Sequence, residues 1–437
     1  MEWWLILLVI FSLSFALMLM GMPVGFAFLL VNFGAAWVIW QSPAGLVLLV
    51  NNMRGAVSHF TLMPLPLFIL LGEVIFQSGI TPHMLDAFDK WLGRLPGRLG
   101  LVAVGAGTLF GALTGTGMAT AAMLGTTLVP EMERRGYKKP MSLGPILGSA
   151  GLAVMIPPSG MAVVLASLAD VSLGKLLIAI IVPGLLMALF YAAYTVLRCW
   201  LQPSLAPAYE VGHTPIYEKI RDTVKYILPF GIVIFLVTGV IFLGIATPTE
   251  AAATGALGAV LLVAGYRRLT WGIIIKSLTA TVRTTVMVLL ILMAAAVFSQ
   301  ILAYSQATKD MIQVVLSFPL PPIMVIIAMQ ALAIAMGTVM STVAILMITL
   351  PIFMPIVRAL GFDPLWFSVL LLLNMEMGAV SPPFGLTLFV MKGVSSADTT
   401  IGDIYKAVIP YLACDLLVMA SILIFPAIAL YLPGIMR

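Results

Sequence analysis

Residues Gly111–Gly160 read GALTGTGMATAAMLGTTLVPEMERRGYKKPMSLGPILGSAGLAVMIPPSG. Two features break the helical pattern of this stretch: Thr114-Gly115-Thr116-Gly117 inside one long apolar run and Ile156-Pro157-Pro158-Ser159-Gly160 inside the next. Such breaks expose backbone N–H and C=O groups that hydrocarbon cannot satisfy. They are tolerated only where the backbone is buried in protein or lines a polar cavity. Helix ends at mid-membrane also aim partial charges at that cavity.

The device returns in the second half of the chain, 222 residues on for Gly115 to Gly337 and 225 for Pro157 to Pro382. Gly115–Ala122 lies over Gly337–Ala344 with five identities in eight, and Pro157–Gly160 lies over Pro382–Gly385 with three in four. Gly/Pro-interrupted segments at corresponding places in two halves point to a transporter's binding site.

Composition sets the class. The 437 residues are 62% hydrophobic and 9% charged, whereas a soluble protein is about a quarter charged, so this is a polytopic membrane protein embedded in a lipid bilayer. Cys199 and Cys414 both lie in apolar runs and read as small packing residues. His59, His83 and His213 form no ligand spacing, and no GxxxxGK[ST] loop is present to bind ATP. The net charge of +5 reflects topology rather than nucleic acid, because the basic residues sit in short loops. Trp3–Met20 is long and apolar with no basic stretch before it, and reads as a first span rather than a cleaved signal.

Spans need about 20 apolar residues. Trp3–Met20, Pro23–Trp40 and Thr61–Ile80 fit, with Ala44–Phe60 as an interfacial helix and Pro82–Arg98 amphipathic. Leu99–Pro130 is long for one span and short for two. It is preceded by Lys90, Arg94 and Arg98 and followed by Arg134, Arg135, Lys138 and Lys139, so both ends are cytoplasmic and the segment is a re-entrant hairpin. Met141–Leu168 crosses as a broken helix, Lys175–Trp200 returns, and Leu201–Lys225 is a polar cytoplasmic linker. The second half repeats the plan. Tyr226–Ala246 and Pro248–Ala264 span, Leu269–Arg283 is amphipathic, and Thr284–Tyr304 spans. Pro319–Pro355 is a second hairpin, Pro364–Met391 a second broken helix, and Ile404–Leu432 closes the chain. The expectation is an all-α inverted-repeat secondary transporter. Residues 1–200 form the first repeat (hairpin 99–130, broken helix 141–168), 201–225 the linker, and 226–437 the second repeat (hairpin 319–355, broken helix 364–391). Ten crossings put 17 Lys/Arg inside and five outside, and repeats that start from opposite sides imply alternating access around a midplane site.

The hairpin tips supply the candidate ligands: Thr114, Gly115, Thr116, Gly117 and Thr120 in the first, and Gly337, Thr338, Met340, Ser341 and Thr342 in the second. The broken helices add Gly151, Val154, Ile156, Pro157, Pro158 and Ser159, and Gly378, Ser381, Pro382 and Pro383. Hydroxyls and C-terminal carbonyls are hard oxygen ligands suited to Na⁺, and helix N-termini suit an anion. The bland reading is that small residues here only let helices pack closely. Intramembrane acids are functional hypotheses by default. Glu376, just before the second break, is a candidate for carrying a proton or neutralising a cation; so is Glu73, while Glu250 and Asp415 read better as structural hydrogen-bond partners. No Lys or Arg is placed at midplane, so an organic anion would be held by helix N-termini, hydroxyls and bound cations.

These residues resemble the large membrane subunit, the DctM type, of tripartite ATP-independent periplasmic (TRAP) transporters. The resemblance covers essentially the whole chain and rests on Pro66–Gly72, Gly111–Thr120 with Ile156–Ser159, Ala246–Ala252, and Gly378–Gly385 with Ser381-Pro382-Pro383. It implies a bacterial or archaeal inner-membrane protein, driven by a sodium gradient and moving substrate by an elevator motion of hairpins and broken helices against a scaffold. It implies two partners, a small four-helix membrane subunit and a periplasmic substrate-binding protein, and a carboxylate substrate of the C4-dicarboxylate, sialic acid or sugar acid class. By the same resemblance, sodium sites lie at Thr114–Gly117 with Gly151–Pro157 and at Gly337–Thr342 with Gly378–Pro382. The alternative is a stand-alone cation-coupled anion transporter of a related fold. An intramembrane enzyme would need a catalytic pair, a Ser with His or an HExxH motif, and none is present.

Overall fold

The computed structural model describes residues 3–93, 95–207, 214–338 and 340–436. Of the positions and ranges given above, Arg94, 208–213 of the linker with His213, position 339 in the second tip, and positions 1, 2 and 437 lie outside them. Every regular element among the described residues is a helix. Among the described residues, seven helices are long and apolar enough to cross a membrane, or eight if the bent pair Lys139–Met155 and Gly160–Ala169 counts as one span. Five more are apolar but shorter, among them Val24–Trp40 and Pro364–Val380.

Two series of four helices match in order and length. In the first half, Arg98–Thr114 (17 residues) and Gly117–Arg134 (18) form a hairpin, followed by Lys139–Met155 (17) and Gly160–Ala169 (10). In the second, Pro322–Gly337 (16) and Thr342–Ala359 (18) precede Pro364–Val380 (17) and Leu386–Val394 (9). The breaks fall where the sequence interrupts the helical pattern, and Pro157–Pro158 and Pro382–Pro383 are both cis. Caps fix several starts. Asp363 accepts from Leu365 N and Trp366 N, Ser159 accepts from Ala162 N, and Thr247 with Glu250 closes a capping box at Pro248–Gly265.

Three elements differ from the sequence reading. Leu269–Arg283 and Thr284–Tyr304 are one helix, Trp271–Tyr304, because no Gly or Pro after Gly272 interrupts it. The closing segment splits into Ile401–Ile424 and Ala427–Ile435 at Pro426, which cannot donate into the helical ladder. The end of the linker is helical over Ile216–Tyr226 and leads directly into the next span.

The core has two parts. The larger runs through both halves, from Leu62 to Ala429. The smaller gathers Trp3–Leu19, Val24–Trp40 and Pro43–Val57 against Trp271–Tyr304 and the outer arm of the second hairpin, around the rings of Phe11, Phe28 and Phe298. Close approach inside the larger part depends on glycine. A methyl group on Gly148 would lie 2.5 Å from the Tyr411 ring, and one on Gly107 2.5 Å from Ser149.

Candidate functional site

The first tip is a sharp turn. Gly115 takes the left-handed region (φ 63°), its N–H bonds Gly111 O, and Thr116 is extended before the next helix starts at Gly117. Thr114 and Thr120 lace the turn, with their hydroxyl oxygens 3.1 Å apart, and Thr120 Oγ1 donates to Thr116 O at 3.1 Å. Thr120 is wholly buried and bonded inside the turn, whereas Thr116 is exposed.

The tip abuts the first break. A methyl group on Gly115 would be 3.7 Å from Gly160 N and 4.0 Å from Pro158 O. Ser159 is buried and spends its hydroxyl on capping the next helix. Gly151, Val154, Pro157 and Pro158 are buried around this turn, with Ile156 partly exposed. Behind it, Pro64–Gln77 presses on the tip at Gly72, where a methyl group would meet Leu113 O at 2.7 Å and Thr114 O at 2.8 Å.

The second tip meets its break differently. Gly337 sits directly on Gly378, their backbones touching. Thr338 Oγ1 donates to Ala335 O at 2.8 Å, Met340 N bonds Met336 O, and Ser341 starts the next helix without using its side chain as a cap. Thr342 opens that helix. At the break, Ser381 Oγ donates to Met377 O at 2.7 Å. Pro382 is half-buried and Pro383 exposed; the Pro383 carbonyl accepts from the hydroxyl of Tyr405, on the helix Ile401–Ile424, at 2.5 Å.

Glu376 joins the two halves. It stands on the second broken helix, is 5% exposed, and its Oε2 lies 3.6 Å from where a methyl on Gly117 would be and 3.5 Å from one on Gly151. Both glycines belong to the first half, so this carboxyl packs across the halves; a side chain at Gly117 would strike Ala150 O, 2.9 Å from an added methyl, before it met the carboxyl. Asp415 is buried beside Tyr191, whose hydroxyl donates to it; Thr195 bridges Tyr191 O and the Tyr411 hydroxyl. Glu250 serves its capping box, and Glu73 accepts from Gln77 at 3.3 Å.

A further tie holds the halves together. Lys139 Nζ reaches Glu133 Oε1 (2.7 Å) on its own half, and Ser396 Oγ (2.8 Å), Thr399 Oγ1 (2.8 Å) and Asp398 Oδ2 (3.1 Å) on the other. The Ser396 hydroxyl bond, then Lys139, holds the exposed Asp398 carboxyl below the usual carboxylate range. Arg358, from the second hairpin, donates to Ala169 O at the end of the first broken helix.

Gly72, Tyr191 and the Lys139 cluster were not singled out as site residues. Gly72 carried a signal, since it ends the run Pro66–Gly72; Tyr191 and Lys139 carried none, because their partners are 224 and 257 residues away. Chemically, four helices begin and four end around the two tips and breaks. Their C-terminal carbonyls favour a cation and their N-terminal amides an anion.

The chain is similar to known proteins over most of its length. Residues 11–428 match the family model described as the tripartite ATP-independent periplasmic transporter, DctM component. The chain is 31% identical to a C4-dicarboxylate TRAP transporter large permease protein of Pseudomonas aeruginosa, covering 92% of each. It is 30% identical to a sialic acid TRAP transporter large permease protein of Vibrio cholerae, covering 95% of this chain and 96% of that one. It is 32% identical to an isethionate TRAP transporter permease protein of Oleidesulfovibrio alaskensis over 87% of this chain, but spans only 59% of that protein's length. Among solved structures it is similar in fold to the Alcanivorax borkumensis YdaH transporter, with a TM-score of 0.62, 17% identity, and coverage of 87% of this chain and 88% of that one.

Proposed function

We propose, from the premise that this chain belongs to the DctM-component family of tripartite ATP-independent periplasmic transporters, that it is the large permease subunit of a sodium-coupled importer of a small organic anion. The family makes it a multi-pass inner-membrane transporter component and not an enzyme. Such components work with a small membrane subunit and a periplasmic binding protein. Relatives are named for C4-dicarboxylates, sialic acid and 2,3-diketo-L-gulonate. All are organic acids, and we assign a substrate of that class here.

One observation carries the reading: each hairpin tip is seated on a broken helix, Gly115 on Pro158–Gly160 and Gly337 on Gly378. A tip and a break together present carbonyls, hydroxyls and helix N-termini to one place. Na⁺ takes the carbonyls at the helix ends near Thr114 and Gly151–Ile156 and near Gly337 and Gly378, with the Thr116, Ser341 and Thr342 hydroxyls beside them. Each bound Na⁺ supplies the positive charge that the tips, which contain no Lys or Arg, lack. The anion's carboxylate then rests on the adjoining N-termini. The hairpins and broken helices, tied across the halves by Lys139 and Arg358, move together as an elevator past the scaffold.

The test is uptake in proteoliposomes containing this chain and its small-subunit partner, with a panel of carboxylates, the cognate binding protein, and an inward Na⁺ gradient. Uptake requiring both Na⁺ and the binding protein supports the proposal. Uptake by this chain alone, or driven by protons alone, replaces it with a stand-alone transporter.

A further inference from the structure

A cleft of about 300 Å³ opens at one end of the bundle, away from the tips, lined by His83, Lys225, Tyr226, Tyr266, Arg267 and Arg268. Three distant segments build it: the start of Thr81–Leu92, the end of Ile216–Tyr226, and the turn after Pro248–Gly265. Its wall is a stack of rings. Tyr226 lies against His83 (5.2 Å between centroids, 22° between planes) and against Tyr266 (6.0 Å, 12°). The Tyr266 hydroxyl donates to Lys225 O, which pins the stack to the backbone.

The cations of the cleft differ in how they are engaged. Arg268 donates to Gly79 O (3.0 Å) and Ser78 O (3.4 Å), capping the helix Pro64–Gln77, and its other nitrogen is 3.3 Å from His83 Nε2. It is structural. Lys225 and Arg267 form no ion pair among the described residues; the Lys225 ammonium lies 5.0 Å over the Tyr226 ring. Both are exposed, and Arg267 is held out on a left-handed turn (φ 57°). No carboxylate lines the cleft. The nearby acid Asp222 is already matched by Lys90 and Arg221.

Positive charge without a counter-charge, beside tyrosines at the ends of apolar helices, is the arrangement of the headgroup layer of a membrane. We propose that this cleft binds the phosphate headgroup of an anionic phospholipid, with Lys225 and Arg267 contacting the phosphate and the His83–Tyr226–Tyr266 stack flanking it. A free phosphate ion offers the same charge but lacks acyl chains to lie along the adjoining helices, and the test separates the two.

The full chain, with any subunit that copurifies, is purified in detergent and examined by native mass spectrometry with added phosphatidylglycerol, phosphatidylcholine or inorganic phosphate. The variants are Lys225→Gln with Arg267→Asn, asparagine being suited to the left-handed turn. Lys276→Gln with Arg283→Gln is the charge-matched control, since both residues are exposed on Trp271–Tyr304. Phosphatidylglycerol is expected to bind the unmodified protein and the control alike. It should bind the cleft variant roughly thirtyfold more weakly, the effect of removing two surface charges. Equal binding to all three proteins, equal binding of phosphatidylcholine, or occupancy by inorganic phosphate that excludes the lipid would each overturn the proposal. A size-exclusion profile unchanged by the substitutions shows that the variants are folded.

Discussion

Gly337 and Gly378 meet main chain to main chain: a methyl group on Gly337 would lie 2.6 Å from the Gly378 Cα, and one on Gly378 would lie 2.8 Å from the Gly337 Cα. Backbone has no rotamer with which to yield. Gly337→Ala should therefore lift the second tip off its helix at about 1–3 kcal/mol. Uptake should fall by about tenfold or more, the equivalent of 1.4 kcal/mol. Gly55→Ala, where nothing lies within 4 Å, should leave it unchanged. Uptake normalised to inserted protein decides this, and equal rates for both variants would remove the need for close approach at the tip.

At Gly115 the constraint is conformation rather than space. The nearest atom to an added methyl is 3.7 Å away, but φ is +63°. Gly115→Val should cost about 1–2 kcal/mol, and Gly115→Asn less, because asparagine tolerates the left-handed region. The expected order of uptake is Gly, then Asn, then Val. Equal activity of the Val and Asn variants would contradict a left-handed tip.

Tyr191 and Asp415 form a pair whose removal should be non-additive. Tyr191→Phe deprives a buried carboxyl of its donor, a loss of about 1.5–3 kcal/mol, read as a lowered melting temperature in detergent. Adding Asp415→Leu removes the unpaired group, so the double variant should lose less than the sum of the two single variants. Strict additivity would mean that the two side chains are independent.

The Lys139 cluster should show a defined acid limb. Asp398 has a depressed pKa in the folded protein. Its contribution to stability is then complete above its unfolded value, near pH 4, and is lost as pH falls through the lower folded value. Asp398→Asn should lower the melting temperature at pH 7, and the difference from the unmodified protein should begin to shrink below about pH 4 and vanish once pH is below the folded value. A difference that persists in acid would locate the effect outside this carboxyl.

Much of the candidate site was legible because its helix breaks are written locally. Thr114–Gly117 and Ile156–Gly160 announce breaks through residues that cannot continue a helix, and their echo at Gly337–Thr342 and Ser381–Gly385 announces a repeat. What the sequence could not reveal depends on partners far along the chain. Glu376 was visible as an intramembrane acid, but that it faces Gly117 and Gly151 of the other half follows only from packing. Thr120 read as a tip hydroxyl, but its bonds to Thr114 and to Thr116 O follow only from the turn's geometry. Division of Trp271–Tyr304 into two elements followed its change in polarity, which does not break a helix when no Gly or Pro intervenes.

That unbroken helix has 34 residues and is roughly 51 Å long at 1.5 Å per residue, against a hydrocarbon layer of about 30 Å. Even a tilt of ~40° leaves it roughly 39 Å tall, so its Lys276 end must project beyond the oily layer. The same rod leans on Pro64–Gln77, which presses on the first tip, and on Thr342–Ala359, the outer arm of the second hairpin. The packing that backs both tips is thus continuous, through a single helix, with a part of the protein that stands outside the hydrocarbon.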